Sequence, residues 1–313
     1  MSSDRVTVRA PSTIANLGAG FDVFGIALKD PTDLIEARRT SEKGVRVEKI
    51  EGIGAHAVTI EHTKNTAAVA AAKVLEMGNA DFGLTITIKK GIRPCSGMGS
   101  SGAGAAGGAY AANLFLEKPL SMDKLLYAAA KGEEASSGSF HADNCGPSLY
   151  GGFTIIRSYD PLEIVRVNPP KNLGIVAALP GFAVPTKEAR KVLPRHVELK
   201  DFIFQIGQAS SFVAGMASGD LDLVARSVKD KIIEPARAPL IPHLREAEES
   251  AKKAGALASF LGGSGPCICS FFDLEKMDGT AIGDAVQSFY ESRGVECLCW
   301  ITTWGEGVRK ESR

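Results

Sequence analysis

A loop of glycine and hydroxyl residues directly before a helix of small residues is the feature that most constrains this chain. Residues 94–104 read Pro-Cys-Ser-Gly-Met-Gly-Ser-Ser-Gly-Ala-Gly. Without Cβ atoms at Gly97 and Gly99 the backbone can turn tightly and approach a ligand, and the first N–H groups of the following helix then face an anion. The segment therefore predicts a phosphate-binding loop. The alternative interpretation is a tight turn into a helix packed by glycine and alanine.

The loop is not a Walker A sequence, because no Lys-Ser or Lys-Thr pair follows its last glycine. Two further glycine motifs lie far away in the chain, Ala-Pro-Ser-Thr-Ile-Ala-Asn-Leu-Gly-Ala-Gly-Phe-Asp over residues 10–22 and Leu-Gly-Gly-Ser-Gly-Pro-Cys over residues 261–267. Three such loops in this order resemble the three motifs of the GHMP kinase superfamily. The first motif has the form that is typical of the homoserine kinases within that superfamily.

Strands and helices are mixed along the chain without regular βαβ alternation, which predicts the α+β class. Alternating patterns predict strands in the first part of the chain over residues 5–8, 34–38, 45–50, 57–60 and 84–89. The resemblance implies a GHMP kinase fold, with an N-terminal domain like ribosomal protein S5 domain 2 and a ferredoxin-like C-terminal domain. Prolines 161, 169 and 170 mark the expected boundary, which gives residues 1–160 for the ATP phosphate loop and residues 161–313 for acceptor recognition.

The resemblance also implies an activity, namely ATP-dependent phosphorylation of the hydroxyl group of L-homoserine to O-phospho-L-homoserine, a step of threonine biosynthesis. ATP and Mg²⁺ are the cofactors that it implies. Two alternatives stay open at this point. One is another small-molecule GHMP kinase, acting on shikimate or a mevalonate-type acceptor, and the other is a non-catalytic sensor with the same fold.

Residues for the nucleotide come mainly from the second glycine motif. The residues expected to bind ATP are Pro94, Ser96, Gly97, Met98, Gly99, Ser100, Ser101 and Gly102. The resemblance assigns the magnesium carboxylate to Glu133, with Ser100 or Ser101 beside it. Glu134 is the competing neighbour, and a solvated glutamate at a helix end is the alternative interpretation of either residue.

The sequence His-Ala-Asp-Asn at residues 141–144 resembles a motif of the family. Asn144 falls where related mevalonate and sugar kinases carry a catalytic aspartate, and an amide cannot act as a general base at neutral pH. We therefore expect Asn144 to orient the acceptor hydroxyl for direct attack on the γ-phosphate. His141 is expected to contact the substrate, with a hydrogen-bonded core histidine as the alternative.

A zwitterionic acceptor needs cations for its carboxylate and oxygen atoms for its ammonium group. Arg190 and Arg237 match two separate family elements, and each offers a planar fork of donors suited to a carboxylate. The remaining residues expected to bind the acceptor are Asn16, Asp22, Gly262 and Gly263. A departure from the family pattern is Gly262, where a small polar residue is usual, and the extra glycine is expected to loosen that loop.

Charge and composition add limits on partners. Lysine plus arginine and aspartate plus glutamate number 36 each, so no overall field attracts nucleic acid or an acidic membrane. No apolar run has the length of a membrane span, and residues 1–5 lead directly into a predicted strand rather than into the apolar core of a signal peptide. We therefore expect a cytoplasmic enzyme of small molecules, with a homodimer left open.

Six cysteines include two Cys-x-Cys pairs, at residues 267 and 269 and at residues 297 and 299. Both pairs lie in apolar segments with strand character, where residues two apart share one face. Structural zinc sites favour two to four residues between paired cysteines. The pattern therefore indicates buried free thiols, and a four-thiolate zinc site or a disulfide is the alternative.

Overall fold

The structure, a computed structural model, describes residues 4–311, and of residues 136 and 137 only the backbone. The strands are β1 Arg5–Asn16, β2 Gly20–Thr40, β3 Gly44–Gly52, β4 Gly83–Lys90, β5 Phe153–Tyr159, β6 Leu162–Val167, β7 Leu173–Pro180, β8 Ala258–Leu261, β9 Ile268–Asp273, β10 Cys297–Thr303 and β11 Arg309–Lys310. The helices are α1 Thr66–Met77, α2 Ser100–Asn113, α3 Met122–Ser137, α4 Cys145–Tyr150, α5 Thr186–Lys191, α6 Leu199–Ser218, α7 Leu221–Ser227, α8 Ile233–Arg237, α9 Leu244–Lys253 and α10 Thr280–Glu291.

The strands form two sheets. In the first, the order is β11-β1-β2-β4-β3, and β5 pairs with both β2 and β6. The second has the order β10-β7-β9-β8, and its neighbouring strands are antiparallel. With β7 counted as its first strand the second order is 4-1-3-2, the split βαβ arrangement of a ferredoxin-like sheet. The predicted α+β class and ferredoxin-like second half are thereby confirmed.

Sheet membership differs from the expected boundary at residue 160. β6, which follows that position, pairs with β5 of the first sheet, and β11 returns from the end of the chain to pair with β1. The change of sheet falls between Val167 and Leu173, next to Pro169 and Pro170 rather than at Pro161. The prolines therefore indicated the approximate position of the boundary. Pro161, however, lies in the turn of the hairpin between β5 and β6 and not in a linker.

Strand β7 is buried along its whole length because it packs on both faces. Ile175 and Ala177 lie in a core shared with the first sheet, whereas Val176 and Ala178 lie in a core shared with α9 and α10. Burial on both faces explains why the sequence shows a continuous apolar run there rather than an alternation. The two halves of the molecule are therefore joined through a common hydrophobic core.

The same alternation separates the two Cys-x-Cys pairs. Cys269 lies opposite Ala177 and Cys299 lies opposite Ala178, so the two pairs point to opposite faces of the second sheet. Cys267, Cys269 and Cys297 are buried, and all six cysteines are free thiols. The predicted free thiols are thus present, although Cys95 is exposed.

One predicted strand is wrong. Residues 57–60 were expected to form a strand, but a 3₁₀ turn at Ala55–Ala57 is followed by irregular chain that joins neither sheet. Ile60 is exposed, so its alternation with polar neighbours does not reflect a buried face. Asn65 holds this segment instead, because its side chain donates to Thr59 O at 2.8 Å and caps α1.

Within residues 4–311, no helix combines the length and the apolar character that crossing a membrane requires.

Candidate active site at three joined glycine loops

The three glycine motifs, which are far apart in sequence, meet in the structure. The backbone hydrogen bonds that join them run from Thr13 N to Met98 O (3.1 Å), from Cys267 N to Ser96 O (3.1 Å) and from Gly263 N to Ala15 O (3.2 Å). Each motif contributes to at least one bond, so their relative positions are fixed by the backbone. A single composite site forms where the two halves of the chain meet.

Close packing explains why glycine occurs in the middle motif. Gly97 has φ +79°, and a Cβ atom there would lie 2.5 Å from Gly262 O. Gly99 has φ +65° and precedes α2, and its Cβ atom would lie 1.9 Å from the Thr13 hydroxyl. Positive φ and these contacts together exclude other residues from both positions without rearrangement. Glycine at both positions therefore lets the loop pack closely against the first and third motifs.

A cavity of about 490 Å³ opens above this junction. Residues on its wall that the sequence had assigned to ATP, metal or substrate are Pro94, Ser96, Gly97, Gly99, Ser100, Ser101, Glu133, His141, Asn144 and Gly263. Met98 does not line the cavity, since its side chain is buried in the core, and Gly102 packs against Asn144. Ser96, Ser100, Ser101 and three glycines of the middle motif, Gly97, Gly99 and Gly104, thus line the cavity, whereas the buried Met98 side chain anchors the loop.

Glu133 is the carboxylate that faces the glycine loop. Its Oε2 atom accepts a hydrogen bond from the Ser101 hydroxyl at 3.1 Å, and the residue is buried. Burial raises the pKa of Glu133 above its usual value, and the nearby His141 opposes that rise. Glu134 instead pairs with Lys131 at 2.6 Å on the surface. The Ser100 hydroxyl is engaged elsewhere than at Glu133, because it donates to Ile92 O at 3.1 Å.

A buried ion pair that the sequence analysis missed supports the loop from behind. The Lys90 ammonium group pairs with the Asp33 carboxylate and also donates to Ser100 O at 3.3 Å. The other Asp33 oxygen accepts from the backbone of Gly91 and Ile92, at 2.9 and 3.0 Å. These contacts fix the end of β4 where the glycine loop begins. A lysine followed by glycine at a strand end was the only signal in the sequence.

Two residues of the segment 141–144, His141 and Asn144, line the cavity. The side-chain Oδ1 atom of Asn144 accepts a hydrogen bond from the Thr13 hydroxyl at 2.9 Å, so the first motif orients this amide. Asp143 is buried beside it, and burial raises the pKa of Asp143 to about 6 against the opposing charge of His141. His141 is also buried, and its Nδ1 atom has no hydrogen-bond partner among the described residues. Most buried polar atoms in proteins have a hydrogen-bond partner, so this nitrogen is an exception beside the cavity.

Charged groups of the predicted acceptor site lie next to the cavity rather than on its wall. Arg190 forms a bidentate ion pair with Asp22, with N–O distances of 3.0 and 2.9 Å. Arg237 is buried and donates to Gly263 O at 2.8 Å and to Ala189 O at 3.2 Å. Burial lowers the pKa of Arg237 to about 10, so this guanidinium remains charged at neutral pH.

The first motif contributes two more residues to this cluster. Asn16 donates to Gly263 O at 2.9 Å and accepts from Asp22 N at 3.1 Å, which links the first and third motifs. The Phe21 ring lies between the two arginines, with its centroid 5.6 Å from Arg190 Cζ and 5.2 Å from Arg237 Cζ. The sequence predicted Asn16 and Asp22 but not the aromatic contact.

The third motif is more tightly held than its extra glycine suggested. Gly262 N donates to Cys267 O at 2.8 Å, and Gly262 O accepts from Gly265 N at 2.9 Å. A Cβ atom on Gly262 would lie 2.9 Å from Cys269 Sγ. The expected loosening is therefore not seen, because glycine fits a restricted space here.

These features define a class of protein before any comparison. Joined glycine loops, a buried carboxylate beside a serine and a ferredoxin-like second half are the features of a GHMP kinase. The family model for the GHMP kinase N-terminal domain matches residues 65–152, and the one for the C-terminal domain matches residues 212–292.

Individual relatives indicate which family within the GHMP kinases the chain resembles. The homoserine kinase of Pyrococcus furiosus is 39% identical over 96% of this chain and 99% of the relative. That of Methanocella arvoryzae is 38% identical over 98% of this chain and 97% of the relative. The crystal structure of homoserine kinase from Cytophaga hutchinsonii superposes with a TM-score of 0.94 at 35% identity, covering 99% of this chain and 98% of that one. The chain belongs to the homoserine kinase family of the GHMP kinases.

Proposed function

We propose that this protein transfers the γ-phosphoryl group of ATP to the hydroxyl group of L-homoserine, forming O-phospho-L-homoserine and ADP. The observation that carries the proposal is the junction of the three glycine motifs at one cavity, with Glu133 and Asn144 on its wall. Membership of the homoserine kinase family supports the choice of acceptor over shikimate or mevalonate. A catalytic role is favoured over a sensor because the loop serines and Glu133 are all in place.

On the donor side, the glycine loop would hold the phosphates of ATP through backbone N–H groups at the start of α2. The Glu133 carboxylate and the Ser101 hydroxyl fit Mg²⁺, since both are oxygen donors of the kind that this ion prefers and they lie within hydrogen-bonding distance of each other. When bound, the ion would neutralise charge on the phosphates. No group of three His, Cys, Asp or Glu side chains within the described residues could hold a metal by itself, so water and phosphate oxygens would complete the coordination.

On the acceptor side, Arg190 and Arg237 would bind the homoserine carboxylate, and Asp22 with Asn16 would bind its ammonium group. The Arg190–Asp22 ion pair holds both partners in position before the substrate arrives. A zwitterion can satisfy each partner with a group of opposite charge, so the pair can open without leaving either charge buried alone. Gly262 and Gly263 bring backbone close to the same place.

In the transfer itself, the acceptor oxygen forms a bond to the γ-phosphorus while the bond from that phosphorus to the bridging oxygen breaks, and ADP leaves. Asn144, held by Thr13, would orient the hydroxyl, and its proton would leave to phosphate or water. Positioning and charge stabilisation are the main contributions that a protein makes to phosphoryl transfer.

We also propose that the two halves of the chain bind different substrates. Residues 1–160 carry the glycine loop, Glu133 and Asn144, and residues 161–313 carry Arg190, Arg237 and the third motif. The donor would therefore be held mainly by the first half and the acceptor mainly by the second.

A coupled assay of ADP release across several acceptors tests the proposed function. We expect turnover with L-homoserine to exceed that with shikimate, mevalonate and galactose in kcat/KM. A higher kcat/KM for another acceptor would overturn the substrate, and absence of turnover with all four would favour the sensor.

A further inference from the structure

Three lysines line the cavity within the part of the chain that the structure describes, and two of them are already neutralised. Lys90 is buried in its ion pair with Asp33, and Lys64 pairs with Glu61 at 2.8 Å. The third is Lys187, and no residue in the described ranges forms an ion pair, hydrogen bond or ring contact with its ammonium group. Lys187 is therefore the cation at this cavity whose charge is available to an anionic ligand.

The segment that carries Lys187 is anchored to both parts of the site. In α5, the Thr186 hydroxyl lies 3.4 Å from the Ser264 hydroxyl of the third motif, and Arg190 forms the ion pair with Asp22. Lys187 and Arg190 are three residues apart, which places them one helical turn apart on the same face. Lys187 thus lies at the cavity wall, one turn from the acceptor cluster.

A group that passes from donor to acceptor must lie between them when it is transferred. The glycine loop and Glu133 line the same cavity as α5, and the acceptor cluster contacts that cavity through the hydrogen bond from Arg237 to Gly263 O. A lysine side chain is a compact charge on a flexible four-carbon stem, so Lys187 can follow a phosphoryl group as it moves. Its neighbour Glu188 does not compete for it, since Glu188 pairs with Lys191 at 2.7 Å.

We propose that Lys187 contacts the γ-phosphoryl group of ATP and stabilises its charge during transfer. The role of Lys187 in transfer rests on the proposed function, in which homoserine is the acceptor. Its contact with the γ-phosphate of ATP does not depend on the identity of the acceptor. It assigns to α5 a role in binding the donor in addition to the role of Arg190 in binding the acceptor. Fixed positive charge at the transferring group lowers the barrier because that charge is already oriented when the transition state forms.

The test compares Lys187→Met and Lys187→Arg with Lys253→Met, a matched control that removes an exposed lysine away from the cavity, at the end of α9. Steady-state kinetics with saturating Mg²⁺ give kcat and both KM values. Calorimetry with ADP and with the non-hydrolysable analogue AMPPNP then separates contacts to the γ-phosphate from contacts to the rest of the nucleotide.

We expect Lys187→Met to lower kcat about ten- to a hundred-fold and to weaken AMPPNP binding by a similar factor, as for a lost charge-assisted hydrogen bond. ADP binding and the KM for homoserine should change less than about two-fold, and Lys187→Arg should recover part of the loss. Equal behaviour of Lys187→Met and Lys253→Met, or equal weakening of ADP and AMPPNP binding, would overturn the assignment. If the wild type fails to phosphorylate homoserine, the proposed acceptor is wrong, while the AMPPNP comparison still decides the role of Lys187.

Discussion

Glu133 and Glu134 are neighbours in sequence with opposite environments. Glu133 is buried against Ser101, and Glu134 forms a surface ion pair with Lys131. Desolvation raises the pKa of Glu133, so this carboxylate is costly to bury in its charged form unless a cation compensates for it. This burial beside the glycine loop supports the proposal that the Glu133 carboxylate binds Mg²⁺.

Glu133→Gln should lower kcat by about 10²–10³-fold, because the amide keeps the shape but loses the charge that would hold Mg²⁺ beside the phosphates. Glu134→Gln, which removes one exposed charge, should change kcat less than about two-fold. Initial rates at several Mg²⁺ concentrations provide the measurement. Equal losses in the two variants would show that Glu133 is not the magnesium ligand.

Asn144 and Asp143 decide between direct transfer and general-base catalysis. Asp143 is the nearby carboxylate that could remove the proton, and its pKa of about 6 would place an acidic limb in the pH profile of kcat, with activity lost as the pH falls through that value. If Asn144 only orients the hydroxyl, Asn144→Ala should cost about 0.5–1.5 kcal/mol, or roughly two- to ten-fold in kcat.

The informative partner is Asp143→Asn, measured by kcat from pH 5 to pH 9. Direct transfer predicts a moderate change in this variant and no acidic limb due to residue 143 in the wild type. A variant that folds, binds both substrates and loses about 10²–10⁴-fold in kcat together with an acidic limb would identify Asp143 as a base and end the direct-transfer account.

Among the elements, the glycine loop was the most predictable and α5 the least. Gly97 and Gly99 are visible in the sequence because a close backbone approach leaves no room for other residues. α5 is only six residues long and has little periodicity, so Arg190 was assigned through the resemblance to the family and not through a helical pattern. Residues 57–60 show the opposite error, since alternation without burial imitated a strand.

Gly99→Ala tests the packing of the loop as an element. The new Cβ atom would lie 1.9 Å from the Thr13 hydroxyl and 2.8 Å from the Asn144 oxygen, in addition to the strain of φ +65°. Gly219→Ala is the matched control, because Gly219 has φ +81° and open space around its Cβ position. Gly219→Ala should be destabilised by about 1–2 kcal/mol in urea unfolding through backbone strain alone, whereas Gly99→Ala should be destabilised by more and should also weaken ATP binding and lower kcat. Unchanged ATP binding in Gly99→Ala would contradict the role of this loop.

At the scale of the whole molecule, composition and periodicity predicted an α+β chain, and the motifs predicted the family. What they could not show was how the parts join. The shared core on both faces of β7 and the three backbone bonds between the glycine motifs involve residues up to about 250 positions apart, and no local pattern encodes such contacts. The ion pair between Arg190 and Asp22 was missed for the same reason, although both residues were predicted separately.

Transfer of the γ-phosphoryl group of ATP to homoserine is the central claim, and mass spectrometry of the product tests it. ATP carrying ¹⁸O at the three non-bridging γ-oxygens is incubated with the protein, Mg²⁺ and L-homoserine. The account predicts O-phosphohomoserine that retains all three labels, formed in equal amount to ADP. Labelled inorganic phosphate and ADP without phosphohomoserine, or phosphorylation of another acceptor with higher kcat/KM, would contradict it.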